Sequence, residues 1–218
     1  MSIELWAARL ERPLTERETE AMLPLLPPER QERLLRIKQS EKRREPLCAY
    51  LILRHALWEQ YRWRELPPIR LTSLGKPYFP DFPEVHFNLS HTTGAVLVAL
   101  SGEPVGVDIE HIRPVSERAM RRLADVTTER AFFQSWVRRE ARAKRRGQGL
   151  GALLGPELPW ETGEVCTPLE IFPGYDAALA AGGAPSAIHR RSLEELVGAF
   201  SACPERAAIR QGTAQEER

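Results

Sequence analysis

The chain predicts an α+β fold built as two similar halves, each a small, mostly antiparallel sheet packed against a long helix. Two observations carry this reading. Apolar residues recur at helical spacing in Leu47, Tyr50, Leu51, Leu57, Trp58 and Tyr61 and then give way to period-two strands, and a second helix over residues 131–146 again gives way to short strand candidates. A third observation bounds the result. With 218 residues the chain can bury a sizeable core without disulfides, and Cys48, Cys166 and Cys203 form no C-x-x-C pair.

The elements follow in order. Residues 3–10 read as a strand, and Pro13 and Thr15 lead into a short helix over 15–23 that stops at Pro24. A dense basic run from Glu29 to Arg44 precedes Pro46, which suits the first turn of the long apolar helix. That helix should lay one face on a sheet. Residues 69–74 suggest a strand, and Gly75-Lys76-Pro77-Tyr78 a loop. In residues 85–90, Val85, Phe87 and Leu89 should face the core while His86, Asn88 and Ser90 point the other way. Residues 95–100 are uniformly apolar and read as a buried strand; residues 105–110 form a short one.

The second half opens with a basic helix near 116–123, then the helix over 131–146, which Gly147 should cap. Strands are expected at 164–167, 169–172, 175–179 and 187–191. The division is therefore 1–102 for the first half, 103–200 for the second, and 201–218 as a polar tail expected to fray.

Composition narrows the function classes. There are 31 Lys and Arg against 30 Asp and Glu, a net charge of +1, so bulk charge names no polyanionic partner. No run is long and apolar enough to span a bilayer, and the N-terminus lacks the pattern of a secretory signal. A reducing, cytoplasmic setting is expected, with no membrane and no nucleic acid as partner, and a monomer.

Three groups of residues could carry chemistry. Asp108 and Glu110 lie two apart on a strand, so both carboxylates face one volume; they suit either a magnesium ion or a solvated edge paired with Arg113. Glu140 and Lys144 lie four apart on a helix with Trp136 one turn earlier, which fits a surface ion pair or a site wall. Ser90-His91 ends an apolar strand without an evident triad, so it reads as structural or as a phosphate contact.

Taken in series, Gly75-Lys76-Pro77, Phe87-Asn88-Leu89-Ser90-His91, Gly106-Val107-Asp108-Ile109-Glu110 and the stretch from Trp136 to Lys144 resemble the 4′-phosphopantetheinyl transferases. The likeness is to the two-half, surfactin-synthetase-activating (Sfp) type, and it covers roughly residues 3–198, including Pro173-Gly174-Tyr175 and residues 193–196. The resemblance implies a cleft between the halves that binds coenzyme A, and a magnesium ion held by Asp108, Glu110 and Glu140. It implies pyrophosphate contact by Lys144, coenzyme A contacts by Lys76, Ser90 and His91, and phosphate contacts early in the chain, for which Arg30, Arg33 and Arg44 are the candidates. The implied acceptor is a serine of an acyl or peptidyl carrier protein, with Glu140 activating its hydroxyl and Glu129 a second candidate base.

The chain departs from the family pattern at Arg139, where a Lys is usual, at Val137, and at Pro46. The stretches between Glu110 and Trp136 and between Gly155 and Pro168 are short. Two other readings compete: a nucleic-acid-binding module using the basic helix 138–146, and an inactive relative that keeps only coenzyme A binding.

Overall fold

A computed structural model describes residues 2–153, 155 and 157–201, so Cys203 and almost all of the expected tail lie outside the described residues. Strand β1 (Glu4–Arg9) leads into α1 (Glu16–Met22). A capping box starts that helix: Thr15 accepts from the Glu18 amide, and the Glu18 carboxylate accepts from the Thr15 amide. Helix α2 (Pro28–Leu35) precedes α3 (Arg44–Tyr61), β2 (Arg70–Leu71), β3 (Pro77–Tyr78), β4 (His86–Thr92) and β5 (Ala95–Ser101). Then come β6 (Gly106–His111), α4 (Glu117–Ala124), α5 (Glu129–Arg145), β7 (Val165–Leu169), β8 (Tyr175–Ala181), β9 (Ala187–Ser192) and α6 (Leu193–Ser201).

These elements stack in four layers. One sheet has the order β4-β5-β1-β9 and the other β6-β8-β7. Alternation along β5 explains its unbroken apolar run: Val96, Val98 and Leu100 pack toward α3, while Ala95, Leu97 and Ala99 pack against Val107, Ile109 and Leu179 of the second sheet. On the far side of that second sheet, Val137 and Ala141 of α5 meet Ala178 and Ala180. Burial on both faces, not β propensity alone, makes β5 read as continuous.

Four differences from the expected elements have physical causes. Strand β2 is only two residues long, because its sole pairing is the hairpin with β3. Strand β7 runs through Pro168 and ends at Leu169, so 169–172 is not a second strand; Pro is tolerated there because β7 is an edge. Helix α3 buries more than one face, since Met22, Leu34, Leu193, Leu196 and Phe200 join the core around it. Strand β9 pairs parallel with β1, so a strand late in the chain completes the first sheet and carries α6 with it.

Candidate functional site

Helix α5 approaches β6 unusually closely. A Cβ on Gly106 would stand 2.1 Å from the Ala141 carbonyl oxygen and 2.3 Å from the Arg145 amide nitrogen, so only glycine fits. Val107 and Ile109 enter the core between the sheets, and Asp108 and Glu110, alternating with them, take the α5 side. The close approach brings Glu140 into the same volume: one oxygen from each of Asp108, Glu110 and Glu140 lies within 4.8 Å of the others.

The helix ends with equal definition. Gly147, at φ +70°, donates to the Lys144 carbonyl, and the Gln148 amide donates to the Ala143 carbonyl at 2.8 Å. This is a Schellman cap, and it holds the turn that carries Lys144. The Lys144 ammonium donates to Asp108 Oδ1 at 2.7 Å and Ser90 Oγ at 3.0 Å, and stands 3.6 Å from Glu140 Oε1. Burial alone would pull Lys144 down, but Asp108 and Glu140 outweigh it and leave the ammonium above its ordinary range. Burial and the Asp108 charge push Glu140 up, with Lys144 partly opposing them. Asp108 Oδ2 is buried and has no hydrogen-bond partner. An unspent carboxylate oxygen among three acids fits a hard divalent cation.

Strand β4 faces this cluster with polar side chains. Asn88 Oδ1 accepts from the Val107 amide at 2.9 Å, Ser90 Oγ donates to Asp108 Oδ1 at 2.6 Å, and Thr92 Oγ1 donates to Glu110 Oε2 at 3.1 Å. The two sheets are joined at these edges by side chains. The period-two spacing sets Asn88 and Ser90 on this face without giving Asn88 a partner, and it reads Thr92 as the start of a turn, whereas Thr92 is the last residue of β4. The Asn88-x-Ser90-x-Thr92 alternation was the available signal.

The remaining candidates are distributed unevenly. Lys76 reaches the cleft wall but donates to the Arg145 carbonyl at 2.6 Å and the Val105 carbonyl at 3.3 Å; burial, helped by Arg145, lowers its ammonium to about 8. His91 is exposed near the end of β4. Arg44 donates to the Arg12 carbonyl at 2.9 Å and pairs with Glu45, whose carboxylate accepts from the Gly94 amide beyond β4. Arg30 is only 6% exposed and donates to the Ile69 carbonyl at 2.7 Å, which spends it on holding the β2 loop. Arg33 is exposed on α2 and has no hydrogen-bond partner among the described residues. Neither Arg30 nor Arg33 contacts the acid cluster. Glu129 begins α5 and lies about 16 Å along the helix axis from Glu140. Trp136 packs with Met120 and Phe132 between α4 and α5, a core position and not a wall of the acid cluster.

The arginines of α5 are spent elsewhere. Arg139 donates to the carbonyls of Leu123, Leu153 and Gly155. Arg138, Arg142, Arg145 and Arg146 pair with Glu157, Glu161 and Glu164. A cavity of about 250 Å³ opens beside the acid cluster, lined by Lys76, Pro77, Asn88, Glu140, Lys144 and Gly147 among others. It joins the β2–β3 hairpin to the end of α5.

No family model matches the chain. Among curated proteins, it is 28% identical over 226 residues to the 4′-phosphopantetheinyl transferase Sfp of Bacillus subtilis (strain 168), covering 89% of this chain and all of that protein. It is 28% identical to the 4′-phosphopantetheinyl transferase ffp of Bacillus subtilis, over 82% of this chain and 92% of that protein. A shorter match, 35% identical over 38% of this chain and 50% of its relative, is to the 4′-phosphopantetheinyl transferase AcpT of Salmonella typhi. In its full-length likeness to Sfp, its α+β fold of two packed sheets and long helices, and the acids of its G-V-D-I-E strand meeting the Glu140 helix face, the chain is similar to the Sfp-type 4′-phosphopantetheinyl transferases.

Proposed function

We propose that this protein transfers the 4′-phosphopantetheine group of coenzyme A to a serine hydroxyl of an acyl or peptidyl carrier protein and releases adenosine 3′,5′-bisphosphate. One observation carries the reading beyond the family likeness: three carboxylates converge with Lys144 beside a cavity, and one buried oxygen, Asp108 Oδ2, has no hydrogen-bond partner among the described residues. Asp108, Glu110 and Glu140 would hold a magnesium ion. Bound there, the ion would neutralise charge that builds on the pyrophosphate as its bridging bond breaks.

The chain's own residues account for the rest. The serine oxygen attacks the phosphorus on the pantetheine side, and the bond from that phosphorus to the bridging oxygen breaks, so no covalent enzyme intermediate is required. Glu140, whose proton affinity burial raises, accepts the serine proton. Lys144 offers a cation against the departing phosphate. Lys76, which lines the cavity, and His91 would contact coenzyme A, and of the three early arginines Arg44 is linked through Glu45 to the β4–β5 turn. Since the cavity is smaller than the roughly 300–1,000 Å³ of typical ligand pockets, most of coenzyme A lies along the surface cleft.

The functional halves are read as residues 1–102 and 103–200, with β9 bridging them. The setting is cytoplasmic and the protein acts as a monomer; among the described residues no helix is long and apolar enough to cross a membrane. The nucleic-acid reading loses its basis in the arginines of α5, because Glu157, Glu161 and Glu164 pair with them. The three acids and the unspent Asp108 oxygen favour an active enzyme over an inactive relative. Incubating the protein with apo carrier proteins, coenzyme A and magnesium should add the phosphopantetheine mass to the carrier, read by intact mass. No labelling of any acyl, peptidyl or aryl carrier would overturn the proposal.

A further inference from the structure

The two acids on β6 are held in a matched way. Asp108 Oδ1 accepts from Ser90 Oγ at 2.6 Å and from Lys144 at 2.7 Å, while Oδ2 has no partner. Glu110 Oε2 accepts from Thr92 Oγ1 at 3.1 Å and from Arg113 at 2.8 Å, while Oε1 has no hydrogen-bond partner among the described residues. Each carboxylate is gripped by one oxygen and presents the other. The gripping hydroxyls lie two apart on β4, as the acids do on β6, so one strand's spacing serves the other's.

Each hydroxyl is itself anchored to the β6 backbone. Ser90 Oγ accepts from the Ile109 amide at 3.4 Å, and Thr92 Oγ1 from the His111 amide at 3.5 Å. A hydroxyl has one proton and two lone pairs. Ser90 gives its proton to Asp108, and its lone pairs meet the Ile109 amide and the Lys144 ammonium. Nothing remains to donate to a phosphate.

We infer that Thr92 and Ser90 are positioning residues of the metal centre. Their hydroxyls turn Glu110 and Asp108 so that the ungripped oxygens face a shared divalent cation. This rests on the proposed metal role of the acids, and the test separates the two. Binding of manganese to the full chain without coenzyme A is measured by titration calorimetry and by electron paramagnetic resonance of the free ion. Asp108→Asn should abolish binding; if it binds like the original protein, the metal reading itself fails.

Given that loss, Thr92→Val should weaken manganese binding tenfold or more, within the roughly 10–100-fold expected for partners that orient metal ligands. Thr92→Ser, which restores the hydroxyl, should recover it. A smaller loss in Thr92→Val, or no recovery in Thr92→Ser, overturns the inference. Ser90→Ala tests the Asp108 grip in the same way and keeps the question open to refutation should Thr92→Val not fold. It should weaken manganese binding in the absence of coenzyme A; binding like that of the original protein would overturn the inference for Ser90.

Discussion

The two faces of α5 both set basic side chains against carboxylates, and they do opposite things. On the outer face, Glu157, Glu161 and Glu164 meet four arginines, Arg138, Arg142, Arg145 and Arg146. Arg142 is fully buried, stacks 3.7 Å over the Trp160 ring, and grips both oxygens of Glu164. On the inner face, the cations that Asp108, Glu110 and Glu140 meet among the described residues are Lys144 and the half-exposed Arg113. The outer network has cations to spare and both Glu164 oxygens satisfied. The inner one lacks positive charge and keeps a buried oxygen unspent. The outer network still leaves Arg145 Nε and Arg146 Nε without hydrogen-bond partners among the described residues, so what sets the inner face apart is an unspent carboxylate oxygen, which can take a cation.

The contrast can be broken from its strongest side first. Asp108→Ala should lower carrier labelling by at least about 10²-fold, the scale of lost electrostatic stabilisation of a transition state, with circular dichroism and melting unchanged. Near-normal turnover at saturating magnesium would remove the distinction between the faces. Arg142→Ala should instead act on stability. It leaves Glu164 in the interior with Arg146 and the Glu161 amide on one oxygen and, among the described residues, nothing on the other, and should cost about 3 kcal/mol, the lower end for breaking a buried ion pair. Denaturant titration would show this, while turnover per folded molecule stays close to that of the original protein.

Acid sharpens the same difference. Burial pushes Glu164 up, but hydrogen bonds from Arg142, the Glu161 amide and Arg146 outweigh it and hold the carboxyl at about 2, against an ordinary 4.5. A carboxyl that titrates lower when folded stabilises fully above its unfolded value and stops stabilising as the pH falls to about 2. Between those values the original protein should lose stability more steeply than a Glu164→Gln variant, measured by melting temperature across the pH range. Parallel curves would show that the outer pairs contribute nothing.

The smallest contrast lies within one helical turn. Lys144→Ala should raise the Michaelis constant for coenzyme A and lower turnover, by about 10-fold or more in their ratio, because a contact to a charged group is lost. Arg145→Ala should leave both constants nearly unchanged and cost less than about 1 kcal/mol, as its partner Glu161 is half-exposed. Equal, small losses in one labelling assay at fixed salt would reduce α5 to a diffuse basic surface.

How much of this was legible beforehand depends on how local the cause is. The alternation in β4, β5 and β6 and the Gly147 stop come from side-chain period and backbone freedom, both local properties, and they appear where the spacing placed them. The pairs Asp108/Glu110 and Glu140/Lys144 could be anticipated because i, i+2 on a strand and i, i+4 on a helix define faces, whereas the joining of Glu140 to the two β6 acids was implied only by the family resemblance. The basic run was misleading for a complementary reason. Arginine density says nothing about partners that arrive from 15 to 22 residues away, as Glu157, Glu161 and Glu164 do for Arg138, Arg142, Arg145 and Arg146.

By itself the sequence determined most element types, the Asp108/Glu110 and Glu140/Lys144 pairs and the family likeness, because each depends on short spacings. Only the tertiary structure decided that β9 returns to pair with β1, that Arg30 is spent on the Ile69 carbonyl, and that Thr92 grips Glu110. It also decided which oxygen of Asp108 is free. Those outcomes depend on which buried polar groups find partners across the fold. Each group accepts or donates a fixed number of hydrogen bonds, and the packing of distant elements settles which are used.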